Sequence, residues 1–324
     1  MTRSGRQDET RGVPRTGFAV GVDVGGTTTS AVLLGPDRTV LARVQARTPA
    51  ADGGRAVVTC VADLVRRVDP GAQADVLGVG ATGVVDVEDG RVAAATSAMP
   101  GWVGTVLPDR LRECLPERRW RDVGALNDVH AFVLAEAWLG AGGGVSEVLG
   151  VTVGTGVGGG FLASGRLVRG ARGVAGHLGH VPVPAASGRR CPCGALGHVE
   201  AVSAAPAMLA EYRLLAGAGG EHVPDLAAVG RRAVDGDVLG REVLAHGGRA
   251  LGEALAGVVA VCDPAVVVIG GGVLDAGALF LEPLQDALRA HAHPVVATVP
   301  VRRAALGQDA VGVGAALHVL TGAT

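Results

Sequence analysis

Gly21-Val22-Asp23-Val24-Gly25-Gly26-Thr27 ends the first apolar run of the chain, and 129 residues further on (from 21 to 150) Gly150-Val151-Thr152-Val153-Gly154-Thr155-Gly156 ends another. Residues 18–24 read as a buried strand, because a short Val-rich run stops abruptly at glycine. An apolar run at 31–34 then meets a Gly-Pro-Asp turn at 35–37 and a third run at 39–41. The later copy keeps that order: 148–153, then Gly160-Phe161-Leu162, a Ser164-Gly165 turn and Leu167-Val168. Short Val/Gly strings recur by chance in a glycine-rich chain. Here the flanking turns correspond as well, which favours a duplication in which each half opens strand, glycine turn, strand.

Working outward, residues 55–68 carry Val57, Val58, Val61, Leu64 and Val65 at helical spacing, and 75–79 reads as a strand. A strand at 122–126 precedes a helix at 129–140. Leu244, Leu251, Leu255, Val258 and Cys262 mark a helix over 241–262 that Asp263-Pro264 stops. A strand at 265–269 runs into Gly270-Gly271-Gly272, and 308–320 reads as a closing helix. Strands alternating with helices predict an α/β fold with largely covered sheets.

The 324 residues suffice for about two domains, and no low-complexity tract divides them. Apolar residues at 48% and charged residues at 19% exclude a disordered chain. A net charge of −2 and 2% aromatics leave neither the basic face nor the stacking platforms of a nucleic-acid binder. All 29 basic residues are arginine. Without lysine there is no Walker A loop, no protein-kinase active site and no Schiff-base enzyme. Five cysteines (60, 114, 191, 193, 262) lack framework spacing, which predicts a reducing compartment. Residues 1–16 read as a charged tail without the apolar segment of a signal peptide, and the apolar stretch 255–274 is interrupted by Asp263-Pro264 and glycines. The expectation is a cytoplasmic protein with no membrane partner.

Three strand-to-glycine junctions, Asp23–Thr27, Gly154–Gly160 and Gly270–Gly272, suit close approach of backbone N–H groups to phosphate. One such turn is weak; three favour a nucleoside triphosphate. Gly154, Gly156 and Gly159 formally match the dinucleotide motif, but a hairpin follows where that motif needs a helix, and no suitable acid precedes Glu200. Asp23 suits a carboxylate that holds Mg²⁺ through water, or a turn cap. Asp128 in Asn127-Asp128 suits a base accepting a hydroxyl proton, although Asn and Asp are also favoured helix N-caps.

Taken together these residues resemble the ROK family of sugar kinases and regulators, within the actin/hexokinase-like (ribonuclease H-like) duplicated two-domain ATPase fold. The resemblance rests on Asp23-x-Gly25-Gly26-Thr27, Asn127-Asp128, Gly154-Thr155-Gly156-x-Gly158-Gly159-Gly160, and Gly179-His180 followed by Cys191-x-Cys193-Gly194. Gly78-x-Gly80-x-x-Gly83-x-Val85-Asp86 and Pro100-Gly101-Trp102 agree, and the match runs from 18 to 320. It implies a small domain of 17–125 with about 305–324, and a large domain of 126–304. It implies ATP and Mg²⁺ on Asp23, Gly25, Gly26, Thr27, Gly154, Thr155, Gly156 and Gly158, with Gly270, Gly271 and Gly272 near the adenosine. Asp128 is the implied base toward a sugar hydroxyl, normally O6; Gly83, Asn127, His177, His180 and Glu200 are the implied sugar contacts. A homodimer or homotetramer is also implied.

Departures from the family pattern sharpen the expectation. Thr28 stands where the family usually has Lys, and Ala98 where it has Asn. His177 replaces a Glu that reads the O2/O3 edge of the sugar. Because imidazole donates as well as accepts, this change predicts a modified hexose, with 3-amino-3-deoxyglucose (kanosamine) beside glucose and N-acylhexosamines. His180, Cys191, Cys193 and His198 form a Cys₂His₂ set for structural Zn²⁺, with His198 at a usual Cys position. A regulator of the same family needs a helix-turn-helix, for which the 17 residues before the first strand are too few. A sugar-binding protein without turnover is the remaining alternative.

Overall fold

The computed structural model describes residues 17–95, 99–217 and 223–322. The expected tail over 1–16 and the departure at Ala98 lie outside the described residues. The chain opens with β1 (Ala19–Val24), β2 (Thr28–Leu34) and β3 (Val40–Arg47), then α1 (Gly54–Val68) and β4 (Val76–Ala81). A short ribbon, β5 (Val84–Val85) and β6 (Val92–Ala94), leads to α2 (Leu107–Cys114) and β7 (Asp122–Asn127). α3 (Asp128–Leu139) carries the chain to β8 (Val148–Val153), β9 (Val157–Ala163) and β10 (Arg166–Leu167). Next come α4 (Glu200–Ser203), α5 (Ala205–Ala216), α6 (Leu226–Val234) and α7 (Val238–Cys262). β11 (Val266–Gly270), α8 (Ala278–His291), β12 (Val301–Arg303) and α9 (Ala310–Thr321) complete the described chain.

The duplication is built into the sheets. One has the order β3-β2-β1-β4-β7 and the other β10-β9-β8-β11-β12, each an antiparallel hairpin followed by parallel strands. β1 and β2 coincide in extent with β8 and β9 at the expected displacement of 129 residues. This is the actin/hexokinase-like fold. β7 is unbroken to Asn127, so a boundary drawn between 125 and 126 cuts a strand; the chain leaves the first sheet at the start of α3.

Strand alternation sorts the side chains into three cores. Val20, Val22 and Val24 face α1 and α2; Leu149, Val151 and Val153 face the layer of α5 to α8. The opposite faces of both sheets cover α3 and α9, which lie between them. Gly21, Gly78 and Gly124 form one row across β1, β4 and β7 beneath α9. A Cβ on Gly21 would stand 1.8 Å from Gly312 O, and one on Gly78 1.9 Å from Ala315 O. The helix therefore rests on bare backbone, which brings the strand ends and the start of α3 close together.

Candidate active site

Asp23 lies on the same face of β1 as Gly21, opposite Gly80 of β4, and Gly80 is opposite Leu126 of β7. Two residues beyond Leu126 is Asp128, the first residue of α3. Burial raises the Asp23 carboxyl to about 7, and the charge of Asp128 adds to that rise. Burial likewise raises Asp128 to about 6, against the opposing pull of N–H donors from Val129 and the Asn127 amide. Two desolvated carboxyls thus share one locality, the arrangement that holds a proton acceptor near neutral pH.

Asn127 sets the position of Asp128. Its Oδ1 accepts from Val129 N–H at 3.0 Å and His130 N–H at 3.2 Å, capping α3. Its Nδ2 donates to Gly83 O and to Asp128 Oδ1, both at 2.8 Å. All four hydrogen-bonding places of the amide are filled. The expected sugar contact by Asn127 would require one of them to be given up. Gly83, at φ +103°, contributes its carbonyl, and a Cβ there would stand 2.4 Å from Ala94 O of β6.

The three glycine junctions differ in what faces them. A Cβ on Gly26, Gly154 or Gly272 would meet nothing within 4 Å, leaving open room beside the backbone. Gly158, in contrast, is required by Val129 of α3, whose methyl would lie 2.5 Å from its Cβ. Gly270 is closed by Phe132, and a Cβ on Gly271 (φ +98°) would stand 2.2 Å from Val153 O. The structure thus explains Gly158, Gly270 and Gly271 by packing, while Gly26, Gly154 and Gly272 keep the space a ligand needs. Gly25 and Thr27 belong to the first turn: Gly25 N–H donates to Thr28 O at 3.1 Å, and Thr27 O accepts from Thr48 N–H at 2.9 Å.

Beside Gly154, Thr155 and Gly272 lies a cleft of about 740 Å³ whose far wall is α6, with Asp225, Gly230 and Arg231. Sequence reading missed this wall. The available signal was Asp225, which caps α6 through Ala228 N–H, followed by Leu226, Val229 and Ala233 on one face.

His180, Cys191, Cys193 and His198 bring one donor atom each to within 4.8 Å of one another. His180 Nδ1 is 3.7 Å from Cys191 Sγ, and His198 Nδ1 is 3.3 Å from Cys193 Sγ. Those separations match the ~3.3–3.8 Å edges of a tetrahedron built with ordinary Zn–N and Zn–S bonds. Two thiols and two imidazoles therefore fit the expected Zn²⁺.

His177 lies between His130 and His180, with ring centroids 6.4 and 6.2 Å away. Burial, with those two imidazoles adding to it, lowers its pKa to about 4, so it is neutral at physiological pH. Its ring nitrogens make no hydrogen bond to the described residues. His130 is buried and shares a hydrogen bond with Ala175 O through Nε2 at 2.9 Å. Glu200 opens α4, and its Oε2 accepts from Val157 N–H at 2.9 Å.

Among the described residues no helix is long and apolar enough to cross a membrane. The sequence profile of the ROK family matches residues 19–321. A glucokinase of Thermotoga maritima is 34% identical over 311 residues, covering 92% of this chain and 95% of that protein. An N-acetylmannosamine kinase of Escherichia fergusonii is 32% identical over 253 residues, covering 78% of this chain and 82% of that protein. Among solved structures, a ROK family glucokinase from Streptomyces griseus in complex with glucose and AMPPNP superposes with a TM-score of 0.80. It is 28% identical and covers 94% of this chain and 99% of that one.

Proposed function

The chain belongs to the ROK family and is a sugar kinase; from that premise we propose that it transfers the terminal phosphoryl group of ATP to the 6-hydroxyl of a hexose or amino-hexose, with Asp128 as general base. The observation that carries this reading is the pair Asp23 and Asp128, two partly exposed carboxyls, one near the end of β1 and one at the start of α3, whose proton affinities desolvation raises toward neutrality. Asp128 Oδ1 is tied to Asn127 Nδ2 and Val129 N–H, while Oδ2 takes no hydrogen bond from the described residues. That free oxygen is the one offered to a sugar hydroxyl. Asp23 holds the hydration shell of Mg²⁺, an ion that neutralises phosphate charge when bound. With the Gly25 and Gly154 N–H groups closing their own turns on Thr28 O and Gly156 O, the following residues Gly26, Thr27, Thr155 and Gly156 present N–H groups to the phosphates, and the cleft between Gly272 and α6 takes the nucleoside. Catalysis in this arrangement is positioning and charge stabilisation.

The same reading assigns the sugar edge to His177, His180 and Glu200, with Zn²⁺ on His180, Cys191, Cys193 and His198 as the structural fastener of their loop. A neutral His177 offers one donor and one acceptor where a carboxylate offers acceptors alone, which suits a C2 or C3 substituent that accepts as well as donates, such as an unprotonated amine or an acylamino group. Kanosamine and glucose are the leading candidates, with N-acylhexosamines beside them. The deciding experiment is ADP release over glucose, glucosamine, N-acetylated hexosamines and kanosamine, for the wild type and Asp128→Asn, with the phosphorylated carbon assigned by NMR. An amino sugar is expected to lead the panel, and His177→Glu to move the preference toward glucose. Glucose far ahead with amino sugars inert would refute the substrate assignment. Equal rates in wild type and Asp128→Asn would remove the base.

A further inference from the structure

The turn between β8 and β9 is gripped from both sides by the segment that follows the four-donor cluster. Ala205 N–H donates to Gly154 O at 2.8 Å, and Val157 N–H donates to Glu200 Oε2 at 2.9 Å. A Cβ on Gly156 would stand 2.8 Å from that same oxygen, so the carboxylate lies directly over the turn. Among the described residues its other oxygen has the Cys191 thiol as its one hydrogen-bond partner, at 3.6 Å. Glu200 follows the cluster residue His198 by two positions, and the backbone between them is fixed: Val199 N–H donates to Val181 O at 2.9 Å, next to His180. The same carboxylate is near enough for its charge to act on His177. One side chain therefore reaches from the sugar-side loop to the phosphate turn.

We propose that Glu200 is a positioning residue for the nucleotide: its Oε2 fixes the Gly154–Val157 turn, and the four-donor cluster fixes Glu200. A turn with glycine at two of its three central places has wide conformational freedom, and ordering it opposes binding unless it is ordered beforehand. The hydrogen bond to Val157 and the position of the carboxylate over Gly156 supply that order, so the N–H donors of the turn stand ready before ATP arrives. The family-based expectation gives Glu200 to the sugar alone. In this geometry one oxygen serves the turn and the other remains for the sugar, so the two substrate sites share a carboxylate.

The inference rests on the turn being the phosphate cradle, and its test is equilibrium binding of AMPPNP with Mg²⁺, which requires no sugar turnover. Calorimetry would compare wild type, Glu200→Ala and Glu200→Gln, each metal-loaded, together with wild type after chelation. Glu200→Ala is expected to bind AMPPNP about tenfold more weakly, the scale of a lost hydrogen bond to a charged acceptor. Glu200→Gln keeps an acceptor oxygen for Val157 N–H and recovers most of that affinity, while its KM for sugar stays raised. Chelation is expected to reproduce the Ala phenotype. Should Ala not fold, Glu200→Asp, one methylene too short to reach Val157, provides the same contrast with Gln. Wild-type affinity in the Ala variant, Gln as weak as Ala, or an unmoved affinity after chelation would each overturn the proposal. No AMPPNP binding by the wild type would instead remove the kinase reading itself.

Discussion

The two glycine turns occupy equivalent places in duplicated hairpins, yet they are secured by unrelated means. In the first half, Thr48 Oγ1 donates to Gly25 O at 2.8 Å and shares a 2.9 Å hydrogen bond with Thr29. β3 delivers that threonine, because its eight residues run beside β2 until Arg47 stands opposite Thr28. In the second half the corresponding strand is two residues long and pairs only with Leu162 and Ala163, remote from the turn. The fastening there comes from residues 200–205 instead. Chemistry is divided along the same line: Asp23 of β1 has Thr152 as its counterpart on β8. A duplicated backbone provides two cradles, and the side chains placed around them make one the site of the acids and the other the responsive grip.

The largest expected effect breaks the comparison at the acids. Asp128→Asn should lower kcat by ~10²–10⁴-fold, the usual worth of a positioned base, while the KM for ATP changes little. For the wild type, kcat/KM should fall as pH drops below about 6, where Asp128 takes up its proton. Stability should run the other way. The folded protein holds protons on Asp23 and Asp128 that the unfolded chain has released above about 4. Their contribution to stability is therefore full at acid pH and is lost as pH rises through about 6 to 7. Urea unfolding at pH 5 and pH 8 should show Asp128→Asn gaining on the wild type at pH 8. A kcat/KM profile flat to pH 5 would contradict the assignment.

Much of this framework was legible in the sequence, and the omissions have physical causes. α1 announces itself through Val57, Val61, Leu64 and Val65, and the structure finds it at Gly54–Val68. The matched hairpins were legible because β1 and β8 are nearly continuous apolar runs. β3 was read over 39–41 and in fact extends to Arg47, since its alternating exposed and half-buried residues conceal an edge strand. α6 went unread because its apolar face is short and partly alanine. The donor cluster was legible once the family resemblance stood beside its Cys-x-Cys spacing. The glycines were not: Gly154 and Gly158 look alike in sequence, and only the neighbour across from each tells a packing glycine from an open one. Asn127 is similar, since nothing local shows that its amide will be fully spent on Gly83 and the start of α3.

A second test asks whether the two halves differ in rigidity as well as in their turns. Asp69 at the end of α1 is fully buried and accepts from Gln73 and Ala74 N–H groups at 3.0 Å and from Arg118 at 2.8 Å. Arg118 is itself nearly buried and lies over the Trp120 ring. Arg118→Ala would leave a buried carboxylate without its cation and should cost about 3–5 kcal/mol. The second half pairs Arg189 with Glu211 in partial solvent exposure. Arg189→Ala should cost no more than ~1 kcal/mol. Chemical unfolding of both variants reads the contrast directly, and equal losses would show that the first half has no special dependence on its buried pair.

The smallest effect concerns the first turn. Thr48→Val keeps the shape of the side chain and removes its hydroxyl, leaving Gly25 O and the Thr29 hydroxyl without that partner. Thr48 is buried, so water cannot readily take its place. A net hydrogen bond of ~1 kcal/mol corresponds to about fivefold weaker AMPPNP binding. Unlike the Glu200 variants, this loss should be the same before and after chelation, because the brace arises within the first sheet and has no link to the cluster. A Thr48→Val penalty that grew on metal removal would mean that the two turns are mechanically coupled, and the division between a self-contained cradle and a dependent one would fail.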